Sequence, residues 1–367
     1  MSWTFDSRLE HASTLPSRYY IDAEVLAAEQ RDLFARSWQL VGRAEQVRER
    51  GAFFTTSVAG EPLLIVRGAD GVVRALSNVC RHRAGPIAIG AGQRPVLQCG
   101  YHGWTYALDG RLLGTPELDG IAAFDRASIC LPRFRIEEWH ELLFVALHDE
   151  APPFAELLGD IATDMAARDH ADFRLAARKE WELDCNWKVY VDNYLEGYHI
   201  PIVHPALFRE LDYAAYRTET KRWYSIQHAP LRRATRIRGE DDVRYYWLFP
   251  NLMLNVYADN FSTNLILPLG AERTVTIFEW FFRDPEAVRP QIDDTVAFSD
   301  EIQIEDIAIC EAVQRGLRST TYDSGRYSPA RENGVHHFHG LYAELMQLRH
   351  RAGRTASSVH PQYGENS

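Results

Sequence analysis

Cys80 and His82, followed by Cys99 and His102 after a gap of sixteen residues containing several Gly and Pro, are the side chains in this sequence best suited to hold a metal. Each pair can close a small chelate from one loop, and two such loops make a four-ligand cage. Two chemistries fit that donor set. One is a structural zinc with two thiolates and two imidazoles; the other is a [2Fe–2S] cluster with the thiolates on one iron and the imidazoles on the other. The flanks favour the cluster. Gly and Pro let backbone amides approach the sulfurs, the neighbouring sequence reads as β-structure, and "YHGWTY" is followed by no zinc-finger helix.

A second constellation lies in "DNYLEGYHIPIVHP", with Glu196, His199 and His204. Glu196 and His199 share a face if the segment is helical, whereas His204 would point away if the helix continued. Pro201 lacks an amide donor and clashes with the preceding turn, so the chain is expected to leave the helix just after His199 and swing His204 back. Two imidazoles beside an acid begin a two-His-one-carboxylate set for non-haem iron. The segment "SDEIQIEDIAICEAVQRGLR" offers the missing carboxylate. Ile302, Ile309, Val313 and Leu317 form an apolar stripe with Asp306 in its middle, while Glu301, Glu305 and Glu311 fall off the stripe and read as solvated. A buried carboxylate is costly unless a cation compensates it, and a metal would do so.

The elements that must position these groups fall into two styles. Residues 22–38 read as an amphipathic helix with Asp22 as its N-cap. From 41 to about 150 the sequence is short apolar runs ("AFFTTSV", "PLLIVRG", "VVRALSNV", "ELLFVALH") broken by Gly-containing turns, with a hairpin signal at Asp109-Gly110, which predicts a small all-β module. Helical patterns return at 155–168, a β-rich stretch follows, and two helices close the chain at about 292–318 and 338–350. Strands and helices do not alternate regularly, so the larger part is expected to be α+β with an antiparallel sheet. The expected division is 1–40 as an N-terminal helical segment packing with the catalytic domain, 41–150 as the cluster domain and 151–367 as the iron domain.

With 367 residues, 46% of them hydrophobic and 25% charged, the chain is long enough for two cores. The net charge of -11 argues against a nucleic-acid partner. The local basic run beginning at Arg222 reads as a solvated face, and disorder is expected only in the tail "RAGRTASSVHPQYGENS". No stretch reaches a membrane-spanning length of roughly 18 to 20 apolar residues, and no signal-peptide core opens the sequence, so a cytoplasmic protein is expected. In a reducing compartment the five Cys read as ligands or core residues, with Cys130, Cys185 and Cys310 as small buried hydrophobes. No Gly-rich phosphate loop follows a strand, so a nicotinamide or flavin is expected to bind another protein.

"NVCRHRAGP…CGYHGWTYALDGRL" resembles the Rieske domain of ring-hydroxylating and choline-monooxygenase-like oxygenases, and the resemblance runs from "WQLVGR" to the last helices. One departure is Ala84, where the family often has Gly directly after "CxHR". The resemblance implies an oxygenase α subunit with a Rieske [2Fe–2S] cluster on Cys80, His82, Cys99 and His102, and a mononuclear Fe(II) on His199, His204 and Asp306. It also implies Glu196 as an inter-subunit electron relay, a head-to-tail homotrimer, O2 as co-substrate, and a separate NAD(P)H reductase, with or without a ferredoxin. "CNWKVYVDNYLEGYH" and "FPNLMLNVYADNFSTN" look more like choline and carnitine oxygenases than naphthalene-type dioxygenases. Trp247, Phe249, Tyr257 and Trp280 are then candidates for a cation–π cage around a quaternary or tertiary ammonium substrate. The competing expectations are an aromatic-ring hydroxylase or demethylase and, more distantly, a non-enzymatic Rieske electron carrier or a zinc-stabilised binding protein.

Overall fold

The computed structural model describes residues 3–168, 170, 172–232 and 242–352. Part of the basic run after Arg222, and the tail from 353 on, lie outside the described residues. The chain divides into two compact units, Phe34–Ala171 and Met1–Leu33 with Asp172–Ser367. Both expected boundaries therefore move. Trp38 belongs with the first unit because its Nε1 donates to Pro152 O at 2.8 Å and its ring meets Phe154 at 5.1 Å. Phe154 in turn packs on Phe144, which ties the helices after residue 150 to the β-module.

Two N-terminal helices, α1 (Arg18–Ile21) and α2 (Ala23–Asp32), open the chain, and Asp22 caps α2 by accepting from Glu24 N–H. The expected longer helix breaks into a 3-10 turn at Phe34–Arg36. In the first unit β1 (Gln39–Arg43), β2 (Ala52–Val58), β3 (Glu61–Arg67), β4 (Val73–Ser77), β5 (Ala91–Gln93), β9 (Arg133–Trp139) and β10 (Leu142–Ala146) form one antiparallel sheet in the order β1-β10-β9-β4-β3-β2-β5. Leu63, Leu64, Ile65 and Val66 are all buried, because β3 is covered on both faces. A second sheet, β6 (Leu97–Gln98), β7 (Thr105–Tyr106) and β8 (Leu112–Gly114), holds the Cys99–His102 loop between its first two strands. Gly110, at φ +92°, makes the turn after Asp109. Helices α3 (Phe154–Leu158) and α4 (Asp160–Ala167) replace the single expected helix, broken at Gly159 with φ +46°.

The second unit is a seven-stranded antiparallel sheet in the order β11-β17-β16-β15-β14-β13-β12. Its strands are β11 (Arg174–Leu183), β12 (Arg217–Thr220), β13 (Tyr224–Pro230), β14 (Asp242–Leu248), β15 (Leu252–Val256), β16 (Asn260–Gly270) and β17 (Arg273–Phe282). Side chains in register share a face, and one row across the sheet reads Gln227, Tyr245, Asn255, Ser262, Trp280. Helices α5 (Trp187–Tyr194), α6 (Ile200–Val203), α7 (Pro205–Glu210), α8 (Arg289–Leu317) and α9 (Asn333–Ala352) complete the unit. The N-terminal helices are fixed to it by a fully buried ion pair. Lys188 Nζ lies 2.6 Å from Glu29 Oε1, and Trp187 and Tyr342 also donate to that carboxylate. With three donors on the carboxylate, the pair avoids the cost of an uncompensated buried charge.

Helix α8 buries a different stripe from the expected one. Ile292, Val296, Gln303, Cys310, Gln314 and Leu317 face inward, and Val313 is exposed. The two buried glutamines are satisfied. Gln303 accepts from Tyr190 OH at 2.5 Å and donates to Thr276, and Gln314 accepts from Asn186 N–H and donates to Glu272 and the Tyr20 carbonyl. Cys185 and Cys310 are buried as expected, whereas Cys130 is only half-buried on an isolated bridge to Arg111.

Candidate metal centres

The four residues of the first constellation come together at one end of the β-module. Each ligand loop is a tight backbone turn. Cys80 N–H donates to Gly85 O at 2.8 Å and Ala84 N–H to Cys80 O at 3.0 Å; in the other loop Cys99 N–H donates to Trp104 O at 2.9 Å and Gly103 N–H to Cys99 O at 3.1 Å. Ala84 sits in the left-handed region at φ +56°, the conformation that glycine takes without steric cost. Gly85 keeps this spot open, since a Cβ on it would stand 3.2 Å from Cys99 Sγ and 3.3 Å from Tyr101 Cβ, a tight contact that the neighbours would have to absorb.

Both sulfurs point inward, with Cys80 and Cys99 at 4% and 2% exposure, and both imidazoles lie outside them, their ring centroids 4.6 Å apart. His82 stacks on Trp104 at an interplanar angle of 7°, which fixes the ring plane. Tyr106 OH lies 3.3 Å from Cys80 Sγ and accepts from Arg81 N–H. Burial pushes the Cys99 thiol pKa up, opposed by hydrogen bonds from the Tyr101 and His102 amides to the sulfur, the kind of donor that steadies a thiolate. Inner thiolates and outer imidazoles match the donor pattern of a [2Fe–2S] cluster with two His on one iron.

The second constellation is built differently from its sequence expectation. Helix α5 ends at Tyr194, and Glu196 and His199 lie in the turn that follows rather than on a helix face. Pro201 does not end a helix; it sits in the first turn of the new short helix α6, where a missing N–H costs nothing. His204 then falls at the junction of α6 and α7. Glu196 organises the turn, its Oε2 accepting from the Tyr198 and His199 amides and its Oε1 lying 2.7 Å from His199 Nδ1.

Asp306 meets both histidines from α8. Its Oδ1 lies 3.0 Å from His204 Nε2 and 3.8 Å from His199 Nε2, and it accepts from Asn193 Nδ2 at 2.6 Å. One ligand atom from each of His199, His204 and Asp306 falls within 4.8 Å of the others. Each His presents Nε2 to that point and has a carboxylate at Nδ1, Glu196 for His199 and Glu305 for His204, the latter at 2.7 Å. Such outer partners fix tautomer and ring orientation in metal-ligating histidines. Burial works to lower the His204 pKa, but the hydrogen bonds and charges of Asp306 and then Glu305 outweigh it and raise the value. The donor set fits Fe(II).

Glu305 corrects the expectation that it is merely solvated, and Glu311 likewise has a partner, accepting from Asp184 N–H at 3.2 Å. Glu305 and Asn193 were both missed from sequence. The signal available for Glu305 was chemical: a ligand histidine needs an acceptor for its second nitrogen, and the residue beside Asp306 is within reach of one.

His199, His204 and Asp306 open onto a cavity of about 690 Å³. Tyr257 and Trp280 line it, as do Tyr194, Tyr216 and Tyr245, whereas Trp247 and Phe249 do not. Trp247 is on the correct face of the sheet, and Asn264 and Phe278 of its own row line the cavity, but Trp247 itself does not reach it. It sits in the row of Ser225, Met253 and Asn264, fully buried against Phe338 and His337 of α9. Phe249 follows the end of β14 and packs between Trp223 and Trp247.

Residues 170–348 match the ring hydroxylating alpha subunit (catalytic domain) family and residues 37–125 the Rieske [2Fe-2S] domain. Choline monooxygenase of Arabidopsis thaliana is 35% identical, over 93% of this chain and 84% of the plant protein. The chain belongs to the Rieske non-haem iron oxygenase family. This oxygenase is also 31% identical to the carnitine monooxygenase oxygenase subunit of Acinetobacter baumannii, over 92% of this chain and 95% of that one. Its fold matches the quaternary ammonium Rieske monooxygenase CntA, solved with L-carnitine, at a TM-score of 0.83 and 29% identity, over 94% and 98% of the two chains. The family carries a Rieske cluster and one mononuclear iron. Among the described residues no helix is long and apolar enough to cross a membrane.

Proposed function

We propose that this oxygenase oxidises a carbon next to the nitrogen of a small quaternary or tertiary ammonium compound. The observation that carries the reading is the cavity: the convergence point of His199, His204 and Asp306 opens onto a space lined by Tyr194, Tyr216, Tyr245, Tyr257 and Trp280. Burial raises the pKa of each of these tyrosines, so they stay neutral phenols with electron-rich faces, the surface a trimethylammonium group prefers. Choline and carnitine oxygenases among the relatives support the same class.

In this reading Cys80, His82, Cys99 and His102 hold the cluster, and His199, His204 and Asp306 hold the iron. The bound metals supply electron transfer and O2 activation. The overall balance is one C–H bond, one O2, two electrons and two protons to one C–OH and one water. Hydroxylation next to nitrogen then leads to N-demethylation, or on an alcohol carbon to the aldehyde. The tyrosine cage orients the cation, and Glu196 and Glu305 hold the two imidazoles with Nε2 toward the iron.

The two electrons come from NAD(P)H through a separate reductase, and the working unit is a homotrimer in which Glu196 relays electrons between subunits. Inter-subunit electron transfer has been described for a quaternary ammonium Rieske monooxygenase of the same fold, 29% identical to this chain. A reducing compartment, the cytoplasm, keeps Cys80 and Cys99 available as thiolate ligands, which supports a cytoplasmic location in this reading. Choline, carnitine and glycine betaine, offered with a compatible reductase and NADH, test the substrate class through coupled O2 uptake and oxidised product. If none is turned over and neutral or anionic aromatic compounds are, the ammonium reading fails. Glu196→Gln tests the relay. It is expected to retain both metal centres yet slow reoxidation of the reduced cluster on mixing with substrate and O2, and wild-type rates would remove Glu196 from electron transfer.

A further inference from the structure

The cavity of this oxygenase is acidic as well as aromatic. Besides Glu196 and Asp306 beside the iron position, Asp259, Asp294 and Glu301 line it, and among the described residues no Lys or Arg does. Its neutral polar groups are largely committed to one another. Asn255 donates to Ser262 and Asn264, Tyr194 OH donates to Asn255, and Gln227 accepts from Tyr216 OH while donating to the Tyr194 carbonyl. A substrate carboxylate entering here would meet like charges, with only neutral donors such as Thr295, Ser299 and Asn264 to offset them.

Asp259 is the best placed of the three added acids. It sits in the turn joining β15 to β16, closed by the Tyr257 N–H to Asn260 O bond at 2.9 Å, two residues from the cage ring of Tyr257. Its two oxygens take hydrogen bonds from the neutral side chains of Asn260 and of Gln291 on α8, which fix the carboxylate without neutralising it. A half-buried carboxylate held this way supplies a counter-charge to a cation that cannot itself hydrogen-bond, and Asp294 and Glu301, exposed on α8, extend the same field outward.

We propose that this cavity selects ammonium compounds carrying no carboxylate, with Asp259 as a specificity-determining residue. The proposal rests on the ammonium reading above and narrows it. Betaines, including the L-carnitine and γ-butyrobetaine found in structures of CntA, are zwitterions. They are disfavoured here by repulsion built into the lining, whereas a cationic ammonium alcohol gains from every acid in it.

Calorimetric binding to the purified holoenzyme without reductase tests this, using choline, glycine betaine, γ-butyrobetaine and the neutral isostere 3,3-dimethylbutanol. Choline is expected to bind about tenfold or more tighter than either betaine and than the isostere. Asp259→Asn keeps the size and one of the two accepted hydrogen bonds; it is expected to weaken choline about fivefold, leave the isostere unchanged and shrink the choline-to-betaine ratio by a similar factor. Betaines binding as tightly as choline, or an unchanged ratio in Asp259→Asn, would overturn the proposal while leaving the ammonium reading intact. An isostere that binds as well as choline would instead overturn the ammonium reading itself. Should Asp259→Asn fail to fold by circular dichroism, Glu301→Gln with Asp294→Asn reads the same ratio at exposed positions, where an unchanged value counts equally against the proposal.

Discussion

Removing the Glu305 carboxylate should loosen the mononuclear iron without touching the cluster. His204 can offer Nε2 to a metal only as the tautomer protonated on Nδ1, and Glu305 Oε2 lies 2.7 Å from that nitrogen, the length of a charge-assisted hydrogen bond. Loss of such an outer partner costs roughly 10- to 100-fold in metal affinity, about 1.4 to 2.8 kcal/mol. The Glu305 side chain is 29% exposed, so water can partly replace it, which favours the lower half of that range. Glu305→Ala is therefore expected to weaken Fe(II) about 10- to 30-fold, and Glu305→Gln less, because the amide oxygen still accepts. The assay is competition with a chromogenic Fe(II) chelator, with the cluster's visible spectrum as an internal control. Wild-type affinity in Glu305→Ala would refute the positioning argument; parallel loss of cluster and iron would point instead to a general folding defect.

Three further outcomes follow from the geometry. Asp306→Ala should keep the cluster spectrum and lose mononuclear iron and product formation, and unchanged turnover would take Asp306 out of the ligand set. Gly85→Ala should lower cluster content per chain, because the added Cβ must be accommodated 3.2 Å from Cys99 Sγ; Ala84→Gly, which relieves a positive φ, should leave it intact. His337 on α9 has its pKa lowered to about 4, first by burial and then by the charge of Arg222 and of its neighbour His336, against a hydrogen bond to the Lys221 carbonyl. A histidine whose folded pKa is depressed keeps its full contribution above the unfolded value and loses it as pH falls through that value toward the folded one. Between pH 7 and 5 that loss is about 2 kcal/mol, so the melting temperature of His337→Gln should fall less than wild type over this range, and equal falls would contradict it.

The sequence by itself determined what depends on local spacing. Two Cys–His pairs on short Gly-rich loops can reach one centre almost whatever surrounds them, and the all-β and antiparallel α+β styles follow from hydrophobic periodicity. The convergence of His199 and His204 was also legible, although for a partly wrong reason: Pro201 starts a helix where the sequence suggested that it stops one. Asp306 was found as a polar residue among apolar ones, yet the true buried stripe of α8 runs through Gln303, Cys310 and Gln314, and the two glutamine amides are satisfied by Tyr190, Thr276, Asn186, Glu272 and Tyr20, none of them on α8. Only the tertiary structure decided which residues act on the ligands and the cavity from outside. Glu305 became a partner of His204 because α8 lies against the turn before α7, a contact across 101 positions that no periodicity encodes. The aromatic wall shows the same limit. Alternation along β14 gives the face on which Trp247 lies, but not how far along the strand the cavity extends before α9 covers it, because that depends on where a helix from the far end of the chain packs.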